Sequence, residues 1–136
     1  MIQPIMTNQI FLAQPSAVAS AADIQTARDL IDTLTAHNHE CVGMAANMIG
    51  VLKRIIVFDD ESTYQVMFNP EIISSAGEFE TEEGCLSLVG RRPTTRYRTI
   101  KVYFEDLDFH SKTRTYTGWT TQIIQYEIDH CNGIII

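Results

Sequence analysis

Glu127 and His130 stand three residues apart, with Tyr126 four residues before His130. That spacing places all three on one face of a helix. A carboxylate beside an imidazole can move protons, and the imidazole can also hold a cation. The row has the frame of H-E-x-x-H, in which two imidazoles one turn apart bind a metal and the Glu handles protons, with Tyr126 in the first position. The same spacing also suits a helix that buries a Tyr and a His against a sheet and leaves the Glu in water. A second segment, Glu83-Gly84-Cys85-Leu86-Ser87, offers a thiolate at Cys85, the softest common metal ligand. Taken alone, Cys85 reads as a small buried hydrophobe. A third, from Cys41 to Val51, is rich in Gly and Ala. It permits close approach of another backbone, or simply makes a tight helix-to-strand connection.

These residues need elements to position them. A helix is expected from about Thr120 to Cys131. On a wheel of about 100° per residue, Trp119, Ile123, Glu127 and His130 lie around Tyr126, and Ile124, Ile128 and Cys131 continue the arc. Gln122, Gln125, Asp129 and Asn132 form the remaining polar strip. A helix apolar around more than half its circumference must be enclosed, and Asn132-Gly133 supplies a left-handed stop. The wrapping is expected from strands at Arg54–Phe58, Gln65–Asn69, Glu71–Ser74 and Thr99–Phe104. Their connections are too short for crossover helices, so they read as antiparallel. Another helix is expected from about Ala21 to His37, opened by a Ser20/Asp23 capping box and striped by Ile24, Ala27, Ile31 and Leu34. The fold class is therefore α+β: antiparallel sheets around a largely buried C-terminal helix, with an N-terminal helix packed outside.

The whole chain of 136 residues fits one domain, 1–136, and its 45% hydrophobic and 20% charged residues are globular values that argue against disorder. No apolar run approaches the ~18 residues of a membrane span. A net charge of −7 is ill suited to holding a phosphate backbone, so neither nucleic acid nor membrane is an expected partner. Cys41, Cys85 and Cys131 make an odd count without close pairs, and the first basic residue is Arg28, too late for a signal peptide. A cytoplasmic location is expected. His37 and His39, near the end of the first helix, read as meeting solvent and the helix dipole, His110 as lying in a polar turn, Cys131 as core, and Arg91, Arg92, Arg96 and Arg98 as a solvated strand face or an anion-attracting cluster.

In this order the three segments resemble the motifs of the peptide deformylase family, G-x-G-φ-A-A-x-Q, E-G-C-L-S and Q-H-E-x-D-H. The corresponding residues are Val42-Gly43-Met44-Ala45-Ala46-Asn47-Met48, Glu83-Gly84-Cys85-Leu86-Ser87 and Gln125-Tyr126-Glu127-Ile128-Asp129-His130. The likeness extends to Arg54-Ile55-Ile56-Val57, Phe68-Asn69-Pro70-Glu71, Arg96-Tyr97 and Gly133-Ile134. It implies metal-assisted hydrolysis of the formyl group from N-formylmethionyl peptides of nascent chains. It also implies one divalent ion, Fe2+ natively with Zn2+ or Ni2+ as substitutes, held at Cys85, His130 and the Tyr126 position. Glu127 would move the proton, the Leu86 backbone N–H would face the oxyanion, and the peptide would add as a strand beside Gly43, Met44 and Ala45.

Three positions depart from the pattern: Tyr126 replaces the first His, Met48 replaces the oxyanion Gln, and Cys41 replaces a Gly. Loss of one oxyanion donor typically slows turnover by ~10²–10³. A phenol titrating near ~10 costs about 4 kcal/mol to ionise at pH 7, which only coordination can return. Three readings follow: a deformylase, a family member that binds peptides without metal or turnover, and an unrelated enclosed-helix domain in which Cys85 and His130 never meet.

Overall fold

Ile55, Ile56, Val57 and Phe58 give strand β2 (Ile55–Asp59) no polar side, and the protein covers both of its faces. The computed structural model describes residues 1–61, 63–85 and 88–134, without the side chains of Cys85, Leu88 and Val89. β1 (Gly43–Ala45), β2, β3 (Tyr64–Cys85), β4 (Leu88–Glu105) and β5 (Ser111–Thr117) pair in that order as an antiparallel five-stranded sheet. The strand alternation splits the core in two. Ile55 and Val57 join Leu30, Leu34, Met44 and Phe68 on one face, while Ile56 and Phe58 join Met67, Val102, Ile124 and Ile128 on the other.

Helix α1 (Gln9–Leu12) is one short turn, and α2 (Ile24–Ala36) packs on the first face. The expected capping box is present on the 3₁₀ turn Ala21–Asp23 that leads into α2: Asp23 accepts the Ser20 N–H at 2.8 Å. Helix α3 (Gly118–Cys131) packs on the second face against β1, β2 and β4. Its stop is the expected one. Gly133 adopts φ 75°, its N–H bonds His130 O and the Ile134 N–H bonds Asp129 O, the paired closure of a left-handed helix end.

The strands differ from expectation in extent. Gln65–Asn69 and Glu71–Ser74 belong to the one long strand β3, interrupted by a register shift between Phe68 and Glu71. Pro70 cannot donate to a ladder and Asn69 adopts φ 54°, so the pair makes a bulge without ending the strand. β1 and β5 were not expected as strands: β1 has three residues, and β5 is nearly all polar.

The polar strip of α3 is also different. Gln125 is buried, because its amide accepts the Tyr97 N–H at 2.8 Å and donates to Tyr97 O at 2.8 Å, acting on β4 like a neighbouring backbone. Trp119, placed in the enclosed arc by the wheel, is 57% exposed. Among the described residues no helix is long and apolar enough to cross a membrane. Cys131 is buried in the second core, where burial pushes its thiol up to about 12. Alkylation of the native protein at pH 8 is therefore expected to leave Cys131 unmodified, whereas urea-unfolded protein labels it, as read by peptide mass spectrometry.

Candidate active site

A cleft of about 810 Å³ opens where α3, the end of β3 and the segment before β1 come together, a size suited to a small ligand or a peptide side chain. Its wall includes Val42, Gly43, Met48, Gly84, Tyr126 and Glu127. Glu127 is 1% exposed, which sets aside the reading of a helix with its Glu in water. Burial raises its pKa, and the neighbouring His130 opposes that rise. A buried carboxylate needs partners. Oε1 lies 2.9 Å from Nδ1 of His130, itself buried.

Gly43 provides the space. A Cβ there would sit 2.9 Å from Ile123 Cγ2 and 3.0 Å from Glu127 Oε2, so only a glycine lets β1 lie this close to α3. Met44 and Ala45 follow it in β1, one side of which is paired with β2 and which ends the sheet order. Asn47 holds α3 from the same segment, donating from Nδ2 to His130 O at 2.8 Å.

Tyr126 packs edge-on to His130, with ring centroids 4.5 Å apart, and its hydroxyl donates to Gly84 O at 2.5 Å. The helix of the third motif thus touches the strand of the second one residue before Cys85. Leu86 lies outside the described residues, as does the side chain of Cys85. Met48 is 1% exposed and packs into the α2 core while lining the cleft.

Arg96 corrects the reading of a solvated arginine strand face. It is 4% exposed and pairs with Glu83 and Asp129, each at 2.6 Å, because α3 lies over this part of β4. Burial alone would lower the guanidinium's pKa, but hydrogen bonding to Glu83 and the charge of Asp129 carry it above the ordinary arginine value. Removing one member of such a buried pair typically costs about 3–5 kcal/mol. Sequence reading missed this network together with Gln122, whose Nε2 donates to Glu83 Oε2 at 2.8 Å. The available signal was a carboxylate beside each candidate ligand segment, Glu83 before Cys85 and Asp129 before His130. His110 does lie in a polar turn, where Asp106 accepts its N–H and that of Asp108.

The polypeptide deformylase family model matches residues 3–136. A peptide deformylase of Clostridium beijerinckii is 50% identical over 136 residues, covering 100% of both chains. One from Dictyoglomus thermophilum is 40% identical over 113 residues, 82% of this chain and 72% of that one. Among solved structures, the actinonin-bound class I type b peptide deformylase of Acinetobacter baumannii has a TM-score of 0.88 at 29% identity, covering 99% of this chain and 95% of that chain. The Met-Ala-Ser-bound structure from the same organism also gives 0.88 at 29% identity, with 99% and 97% covered. The chain belongs to the polypeptide deformylase family, and membership implies a divalent metal.

The packing at Gly43 carries its own test. Gly43→Ala is expected to destabilise the protein by about 1–3 kcal/mol through overpacking against Ile123 and Glu127, measured as a lowered urea midpoint at unchanged slope.

Proposed function

We propose that residues 1–136 act as one deformylase unit that binds N-formylmethionyl peptides, including nascent chains in the cytoplasm, and hydrolyses the formamide. The observation that carries this reading is the buried Glu127 carboxylate at the cleft, bonded to His130 Nδ1 and backed by Gly43.

The residues fit a divalent ion at two of three positions. A metal-binding imidazole typically has its other nitrogen held by a carboxylate, as Glu127 holds Nδ1 of His130. Cys85 follows Gly84, which Tyr126 already contacts, so its segment reaches the same end of the cleft. Tyr126 is the poorest of the proposed ligands. Its hydroxyl donates a proton to Gly84 O, and joining the ion would require both that proton and that bond to be given up. We therefore assign the ion to Cys85 and His130 first, with Tyr126 at the edge of the site. Fe2+ is the proposed native ion, and Zn2+ or Ni2+ would serve as substitutes.

When bound, a divalent cation would polarise the formyl carbonyl and bring the ionisation of water toward neutral pH. The peptide lies extended along Gly43, Met44 and Ala45 as an added strand. Glu127 takes a proton from the attacking water. As the formyl C–N bond breaks, it delivers a proton to the departing amine, leaving formate and a free N-terminus. By the resemblance, Leu86 would offer its backbone N–H to the oxyanion. Met48 offers no donor for this charge, so turnover is slower than with a Gln there.

The Tyr126–Gly84 hydrogen bond favours a second reading, in which the phenol fills the ion's corner and the chain binds formyl peptides without hydrolysing them. Metal content and formyl-Met-peptide hydrolysis of the parent protein, purified without chelator, separate the two: the first reading expects bound metal with measurable turnover, the second peptide binding with neither. Tyr126→His is expected to raise metal content toward one per chain and hydrolysis with it, and a Tyr126→His protein that stays metal-free and inert shows that Tyr126 is not the decisive lesion. For the first reading, Glu127→Gln should cut hydrolysis by about 10²–10⁴ while peptide affinity, measured by calorimetry, stays within a few-fold.

A further inference from the structure

A strand and a helix have no backbone ladder between them, so their spacing is set by side chains. At the junction of β3 with α3, one side chain reaches both. Arg96, from β4, places Nε 3.1 Å from each oxygen of Glu83 and Nη2 2.6 Å from Oε1, while Nη1 lies 2.6 Å from Asp129 Oδ2. Glu83 is two residues before Cys85, and Asp129 immediately precedes His130. Gln122 on α3 adds a bond to the second oxygen of Glu83.

We infer that Arg96 is a positioning residue: its guanidinium fixes the separation between the segments that carry Cys85 and His130, and through them the geometry of the proposed hydrolytic site. The inference rests on the function proposed above for the metal and turnover effects, but not for the clamp itself. A planar fork with directed donors can satisfy two carboxylates in fixed orientation, whereas an ammonium on a flexible stem acts as a point charge. Burial sharpens this, because with Arg96 4% and Glu83 8% exposed, water has little room to replace a lost bond. Beside the fork, Gly84, between Glu83 and Cys85, takes the Tyr126 hydroxyl bond, a separate tie between β3 and α3.

Arg96→Lys keeps the charge and removes the fork, and Asp129→Asn weakens only the arm to α3. Leu30→Val, in the core on the other face of the sheet, serves as the control for general destabilisation. In Arg96→Lys, amide hydrogen exchange is expected to rise at least about tenfold in peptides spanning 80–85 and 124–131 while α2 keeps the parent's protection. Zn2+ affinity by chelator competition and kcat for a formyl-Met peptide should each fall about 10–100-fold, with KM little changed, and Asp129→Asn should move the same way by less. Leu30→Val should lower Tm without these local changes. The inference is overturned if exchange in both segments matches the parent, or if Zn2+ affinity and kcat in Arg96→Lys fall no further than in Leu30→Val. Should the parent bind no Zn2+ and hydrolyse nothing, the hydrolase reading fails, and the local exchange alone upholds or overturns the clamp.

Discussion

A carboxylate removed from water has to be met by hydrogen bonds or opposite charge, and in this protein that requirement organises the site around Glu127. His130 meets one oxygen from the same helix, and the glycine of β1 leaves room for the other. The arrangement holds only while α3 stays pressed between the edge of the sheet and β4. That explains a helix with Ile123, Ile124, Ile128 and Cys131 on its buried sides and a fold that wraps it. The core has two halves: α2 packs on one face of the sheet, and α3, which carries Glu127 and His130, packs on the other.

Helices were legible because their signals are local. The Ser20/Asp23 box and the 3.6-residue stripe locate α2, and Asn132-Gly133 ends α3 where the left-handed glycine ends it in space. The antiparallel arrangement was legible from short connections and the apolar run at β2. β5 was not, since a strand of Ser, Lys, Thr and Arg at a sheet edge carries no hydrophobic alternation. Nor was the continuity of β3, where Asn69-Pro70 reads as a stop and folds as a bulge. The site was legible to the extent that it is written in motifs. Arg96 shows the limit: among Thr and Arg residues it has the pattern of a wet strand face, and only the long-range placement of α3 over β4 buries it. The same placement turns Gln125 from a polar-strip residue into a clamp on Tyr97.

Of the three departures from the family motifs, Met48 and Tyr126 touch different parts of the proposed chemistry. Met48 joins the apolar packing of the α2 core, and under the proposed function its consequence would be a missing donor, typically worth ~10²–10³ in rate. Tyr126 changes the architecture. Its ring packs edge-on to His130 and its hydroxyl donates to the β3 backbone, tying α3 to β3 where the family motif has an imidazole.

In the proposed site a thiolate from Cys85 at the end of β3 and an imidazole from α3 would hold one ion. X-ray absorption at the zinc edge of the reconstituted protein reads this directly. It should show one sulfur at ~2.3 Å together with imidazole scattering, and the sulfur should vanish in Cys85→Ala. A zinc shell of oxygen and nitrogen alone, or a sulfur that survives Cys85→Ala, would contradict it.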